Sequence, residues 1–165
     1  MDFGKRFWIS DDTDLNRLFP GNPSGESGSR VAYAIMETTR GYRYGIHLPS
    51  FYLGGTFMPH IRLLDPEHGS TSLANLFGLQ YVVEAKSRPF DRTTLHNNWQ
   101  RNGTEAFSLY TGMTGTIDDE LATQAVSSIL RFLTRMGIIR YYSHSGYIAS
   151  VLKESDLEPI MTEAA

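Results

Sequence analysis

Apolar and polar positions alternate with the period of a strand over much of residues 31–48. Val31 to Glu37 and Tyr42 to Leu48 read as two arms of a hairpin, joined through Thr39, Arg40 and Gly41. In the second arm Tyr42, Tyr44, Ile46 and Leu48 share one face, and Arg43, Gly45 and His47 share the other. A third strand, Thr56 to Leu64, follows the Gly54-Gly55 break, and residues 65–69 form a turn. Ser72 to Phe77 reads as a helical turn closed by Gly78, Leu79 to Ala85 as a strand, Thr93 to Arg101 as a short helix and Glu105 to Tyr110 as a strand.

The strongest periodic signal is helical. Leu121, Ala125, Val126, Ile129, Leu133 and Met136 form an apolar stripe over Asp118 to Met136. Thr116 or Asp118 caps it, acids fill its first turn, Arg131 and Arg135 sit in its last turns, and Gly137 ends it. Ile138 to Tyr142 and Tyr147 to Leu152 then read as a C-terminal hairpin about Ser143, His144, Ser145 and Gly146. At the other end, a short helix from Asp12 to Phe19, capped by Asp11 or Asp12, precedes a Gly-, Pro- and Ser-rich loop over 20–29. No Gly-Lys-Ser/Thr follows that loop, so it does not match a phosphate-binding loop.

These elements predict an α+β domain: a mostly antiparallel sheet of about five to seven strands, with the helix 118–136 packed on it and a C-terminal hairpin. Residues 1–30 are expected as an N-terminal short helix and loop, 31–153 as the single domain and 154–165 as a polar tail. The 165 residues are 41% hydrophobic and 20% charged, an ordinary globular balance for one domain with a core. A net charge of −3 leaves nucleic-acid binding to a local patch. The absence of cysteine removes disulfides, thiolate metal sites and a cysteine nucleophile. Neither an apolar leader nor a membrane-length run is visible, so the expected location is cytoplasmic, with no membrane partner.

Candidate chemistry centres on Val82-Val83-Glu84-Ala85-Lys86, with Asp65 upstream beside Pro66. In a strand Glu84 and Lys86 share a face. The set resembles the core of the PD-(D/E)xK nuclease superfamily. That resemblance implies Asp65 and Glu84 as ligands of magnesium or manganese, Lys86 as the residue that orients the attacking water, and metal-assisted phosphodiester hydrolysis. Arg88, Arg92 and Arg101, with His96, follow as basic residues suited to phosphate contacts. The alternative for Glu84 and Lys86 is a solvated charge pair on an edge strand.

The last helix and hairpin resemble the end of a winged helix-turn-helix, which implies DNA contacts through Arg135 and Arg140. Three acids open that helix, which would repel phosphate, and an amphipathic helix packed on a sheet is the favoured account of it. The five histidines show no metal-ligand spacing, and no Gly-x-Ser-x-Gly elbow supports a serine triad. Tyr141 and Tyr147, with the arginines, suit a contact face. The reading as a whole favours a small binding or regulatory domain with a protein or nucleic-acid partner, no cofactor and scope for homo-oligomers. The metal-dependent nuclease and the DNA binder stand as its alternatives.

Overall fold

The computed structural model describes residues 13–51, 55, 57–67, 69–113, 115–142 and 146–158. Several expected features lie outside these residues: the caps Asp11 and Asp12, Gly54 and Thr56, His68, the Ser143–Ser145 turn with His144, and the tail beyond 158.

Five strands form one sheet: β1 (Tyr44–His47), β2 (His60–Leu64), β3 (Tyr81–Ala85), β4 (Glu105–Tyr110) and β5 (Ser150–Lys153). Their order is β1-β4-β2-β3-β5. Helices α1 (Ser27–Thr38), α2 (Ser70–Ala74), α3 (Leu95–Arg101) and α4 (Asp119–Arg135) connect and cover them. The β1–β4, β2–β3 and β3–β5 pairings are parallel, and β2–β4 is antiparallel. The sheet is therefore mixed and mostly parallel, which corrects the expectation of a mostly antiparallel sheet with one long helix. A parallel sheet needs crossovers and cover on both faces.

Two predicted hairpins account for most of that correction. Residues 27–38 form helix α1, so the first arm of the N-terminal hairpin does not exist. The helix buries Gly28, Ala32 and Met36, a seam of i, i+4 spacing. At the other end, β5 pairs in parallel with β3, not with residues 138–142, which are not in a strand. Tyr142 is 94% exposed and Ile148 97% exposed, so their apolar character does not report a paired hairpin.

Each face of the sheet has its own core. On one, Ile61, Leu63, Val82, Phe107 and Leu109 pack with Phe77, Ala125 and Phe132, under α4 and the turn after α2. Phe77 stacks on Phe132 at 4.3 Å, and Phe107 lies 5.3 and 5.4 Å from the two rings. Helix α4 has the predicted signals: the Asp118 carboxylate accepts from the Glu120 and Leu121 amides at 3.0 Å, and Gly137 follows at φ 71°. Among the described residues no helix is long and apolar enough to cross a membrane.

On the opposite face, Phe19, Ala32, Met36, Leu95, Trp99 and Ala106 join α1 and α3 to the sheet. Residues 15–19, a 3-10 turn and its exit, belong to this core through Leu15, Leu18 and Phe19. Helix α3 comes very close to β1 because residue 45 is glycine. A Cβ there would stand 2.5 Å from Trp99 Cε3. Trp99 is held in place by its Nε1–H, which donates to Thr39 Oγ1 at 2.9 Å.

Gly45→Ala is expected to destabilise the fold by about 1 to 3 kcal/mol through overpacking against Trp99. Denaturant unfolding checks this. Gly112→Ala is the control, since a Cβ there meets nothing within 4 Å, and it should stay within about 0.5 kcal/mol of the parent.

Candidate functional site

The face covered by α1 and α3 also carries the polar residues. His47 on β1 is in register with Ser108 on β4, and Ser108 with Arg62 on β2. Adjacent strands lie roughly 5 Å apart, so these three side chains form a row across the sheet. Helix α3 adds His96 from above, with its Nδ1 2.8 Å from Ser108 Oγ. His96 is 3% exposed and Ser108 6%. Among the described residues His96 Nε2 is buried with no hydrogen-bond partner. Burying such an atom costs free energy unless something binds it.

The N-terminal turn supplies a carboxylate. Asp14 accepts from the Asn16 amide at 3.0 Å, and Asn16 Oδ1 in turn accepts from the Leu95 amide at 3.0 Å, at the start of α3. The Phe19 amide donates to the Thr93 carbonyl at 3.1 Å. These bonds tie the turn to α3 and bring Asp14 close enough to His47 to act on its charge.

Both histidines are held neutral. Burial pushes His47 down to about 4, against which the Asp14 carboxylate pulls up. Burial likewise pushes His96 down to about 4, reinforced by His47 and by the Arg62 cation. His60, also on this face of β2, is lowered by burial, and its Nδ1 lies 2.9 Å from the Met58 carbonyl oxygen. Two neutral imidazoles, a hydroxyl and a guanidinium thus lie together on one face of the sheet, the pit, with a carboxylate in electrostatic reach of His47.

Beside the pit opens a hollow of about 520 Å³ over β2, β3 and β5. Its floor carries Arg62 and Val83, and Leu152, Leu157 and Glu154 close one side. Aromatic rings form the other: Phe57 stacks on Phe51 at 3.8 Å, Phe51 packs on Tyr110 at 4.9 Å and Tyr110 stacks on His60 at 5.2 Å.

The residues singled out in the sequence lie elsewhere. Asp65, Glu84 and Lys86 do meet, lining a second, charged hollow with Arg88, Lys153 and Glu154 at the C-terminal ends of β2 and β3. Both carboxylates there are engaged: Asp65 accepts from the Ser87 amide at 3.2 Å, and Glu84 from the Thr71 hydroxyl at 2.5 Å. Lys86 is exposed. Among the described residues no three His, Asp or Glu side chains converge as a metal ion would need. Arg88 pairs with Glu154. Arg92 and Arg101 are exposed on the turn before α3 and at its end, Arg135 is exposed at the end of α4, and Arg140, Tyr141 and Tyr147 are exposed in the segment after it. These side chains are spread over several elements rather than gathered on one.

No family model matches the sequence. No curated protein matches it either. Solved structures do match. A succinylglutamate desuccinylase/aspartoacylase from Rhodobacter sphaeroides superposes with a TM-score of 0.73 at 20% identity, over 90% of this chain and 46% of that one. A succinylglutamate desuccinylase from Silicibacter sp. TM1040 gives 0.78 at 19% identity, over 93% and 48%. The product-bound ectoine utilization protein EutE (DoeB) from Ruegeria pomeroyi gives 0.74 at 18% identity, over 90% and 47%. The chain therefore has the fold of these structures and spans about half their length. This finding overturns the expected binding or regulatory domain and both of its alternatives. The nuclease resemblance rested on Asp65, Glu84 and Lys86, but β2 and β3 run parallel with α2 between them in an α/β sheet of another kind. The winged-helix resemblance needed a hairpin after α4, and the strand that follows joins the main sheet.

The histidines set a direction for stability against pH. Their folded values near 4 lie below the ordinary 6.5, so the unfolded chain takes up protons first as pH falls. The stability they contribute is present above about pH 6.5 and is lost as pH falls toward 4. Replacing His96 with Asn, which retains an acceptor for Ser108, should flatten that slope between pH 7 and 4. The unfolding midpoint measured across this range is the check.

Proposed function

We propose that the chain is an amide hydrolase acting on a small acyl amino acid, with the His47, His96 and Ser108 pit as its reacting centre. The observation that carries this reading is His96: a buried imidazole with a partnerless nitrogen, fixed on Ser108, whose strand position is in register with Arg62, which lines a ligand-sized hollow. The matched structures, a succinylglutamate desuccinylase/aspartoacylase and a succinylglutamate desuccinylase, support the reaction class.

Amide hydrolysis needs a donor for the carbonyl oxygen, delivery of water and protonation of the leaving amine. When the Ser108 hydroxyl donates to His96 Nδ1, the proton of the neutral ring sits on Nε2. A neutral imidazole in that form is a weak base but a good donor to a carbonyl whose oxygen gains charge. His47 has the other role. Asp14 stabilises the imidazolium that forms when His47 takes a proton from water, and the same proton can then pass to the departing nitrogen. Arg62, in register beside Ser108, supplies the positive charge that a carboxylate substrate seeks.

The test is release of free amino acid from N-acetyl and N-succinyl derivatives. It is run on the protein as purified, after chelation and with added divalent metals. Turnover should fall at least about 100-fold in His96→Ala and in His47→Ala, with the circular dichroism of the parent retained. Absence of release in every condition, or release unchanged in both variants, would sink the assignment.

A further inference from the structure

The sheet ends at β5. This strand pairs with β3 alone, and it is the most exposed of the five. The Ser150 amide donates to the Gln80 carbonyl at 2.9 Å. In a parallel ladder that bond sets the alternation: Ser150 and Leu152 turn their backbone groups toward β3, and Val151 and Lys153 turn theirs outward. Asp156 already accepts from the Lys153 amide at 2.9 Å. Val151 has no such partner among the described residues, so its N–H and C=O stand open at the middle of the edge.

The chain beside this edge is apolar. Of the thirteen large hydrophobic side chains exposed among the described residues, six lie between α4 and the middle of β5: Ile138, Tyr141, Tyr142, Tyr147, Ile148 and Val151. Two, Tyr42 and Leu48, flank the opposite edge at β1. The end of this stretch is fixed against the sheet, since the Tyr147 amide donates to the Gly78 carbonyl at 3.0 Å. At the ~150–250 Å² of an aromatic side chain, the six expose on the order of 600 Å² per copy, near the roughly 800 Å² per partner of a standard-size interface. Apolar patches of that size mark contact surfaces.

We propose that β5 pairs with β5 of a second copy, antiparallel about a twofold axis at Val151, and so continues the sheet across a dimer. A twofold pairing uses the same row of groups on both copies. Centred on Val151, it lets each Val151 amide donate to the carbonyl of the other. It sets Leu152 opposite Ser150 of the second copy and Lys153 opposite Ala149 of the second copy, so no like charges face each other. The Lys153 amide stays with Asp156. Apolar side chains need an apolar partner surface, and the twofold supplies one from the same residues. Leu152 lines the hollow, so the second copy also adds to the hollow's rim. The inference goes beyond the hydrolase reading and does not depend on it.

The experiment is sedimentation equilibrium on the full chain up to about 100 µM, above the micromolar dissociation constants at the weak end of standard-size interfaces. The expected mass is twice 18.6 kDa. Val151→Lys sets two ammonium groups opposite each other across the axis, and it should weaken the dimer at least about tenfold with the circular dichroism of the parent retained. Val151→Cys, in a chain with no other cysteine, should oxidise to a cross-linked dimer, and Tyr42→Cys at the opposite edge should not. A parent that stays monomeric throughout overturns the proposal and leaves the edge to a different polypeptide. A dimer that Val151→Lys leaves as tight, or that Val151→Cys fails to cross-link, overturns it as well.

Discussion

The close approach of α3 to the sheet is the constraint on which the polar site depends. Gly45 has no side chain, so Trp99 lies directly on β1. One turn earlier on the same helix, His96 then reaches Ser108 on the neighbouring strand. A helix standing an ångström or two further off would leave His96 in water, with an ordinary affinity for protons and no fixed direction. Burial lowers both histidines, and burial here follows from packing: Leu95, Trp99, Ala106 and Phe19 keep water from this side of β1 and β4.

That packing also explains how the two faces divide their tasks. The face under α4 is dry and aromatic, with Phe77, Phe107 and Phe132 in mutual contact. It can be dry because Arg131, the charged residue that reaches it, donates to the Phe77 and Gly78 carbonyls and completes the end of the 3-10 turn. The other face carries small residues, Gly45, Ala106 and Ser108, along β1 and β4. Small side chains there let helices in close and leave room for a pit. One sheet thus pairs a rigid core with a site whose polar groups are held by the strands themselves, the arrangement that fixes geometry best.

Much of this was legible in the chain, and what was not has identifiable causes. Helix α4 was, because its caps, charges and stripe agree. So was the division of β1, where Tyr44 and Ile46 do face the dry core and Gly45 and His47 the other side. Helix α1 was not. Val31, Tyr33 and Ile35 alternate like a strand and are bulky or β-branched, while the residues that pack the helix, Gly28, Ala32 and Met36, are mostly small and carry a weak signal. Strand direction was hidden for a different reason. The buried run from Ala106 to Leu109 in β4 is what a strand covered on both faces shows, but at four residues it is too short to decide the matter alone. The pit was hidden because its parts are far apart in sequence: Asp14, His47, Arg62, His96 and Ser108 meet only through the crossovers.

The contrast between the two charged hollows shows what distinguishes a site from a cluster. Asp65, Glu84 and Lys86 do converge, as their sequence pattern suggested, and Asp65 even holds a left-handed backbone at φ 39°. But Asp65 is spent on the turn after β3 and Glu84 on Thr71 of α2. These bonds close the C-terminal ends of β2 and β3, and they leave no buried valence. Proximity alone does not separate the two groups, since both gather acids and bases near strand ends. Unsatisfied capacity does: Nε2 of His96 is held away from water by the fold and given no partner among the described residues, and folding stability bears that cost. A group that hydrogen-bonds that nitrogen would recover the cost, so free energy withheld in folding can become free energy of recognition.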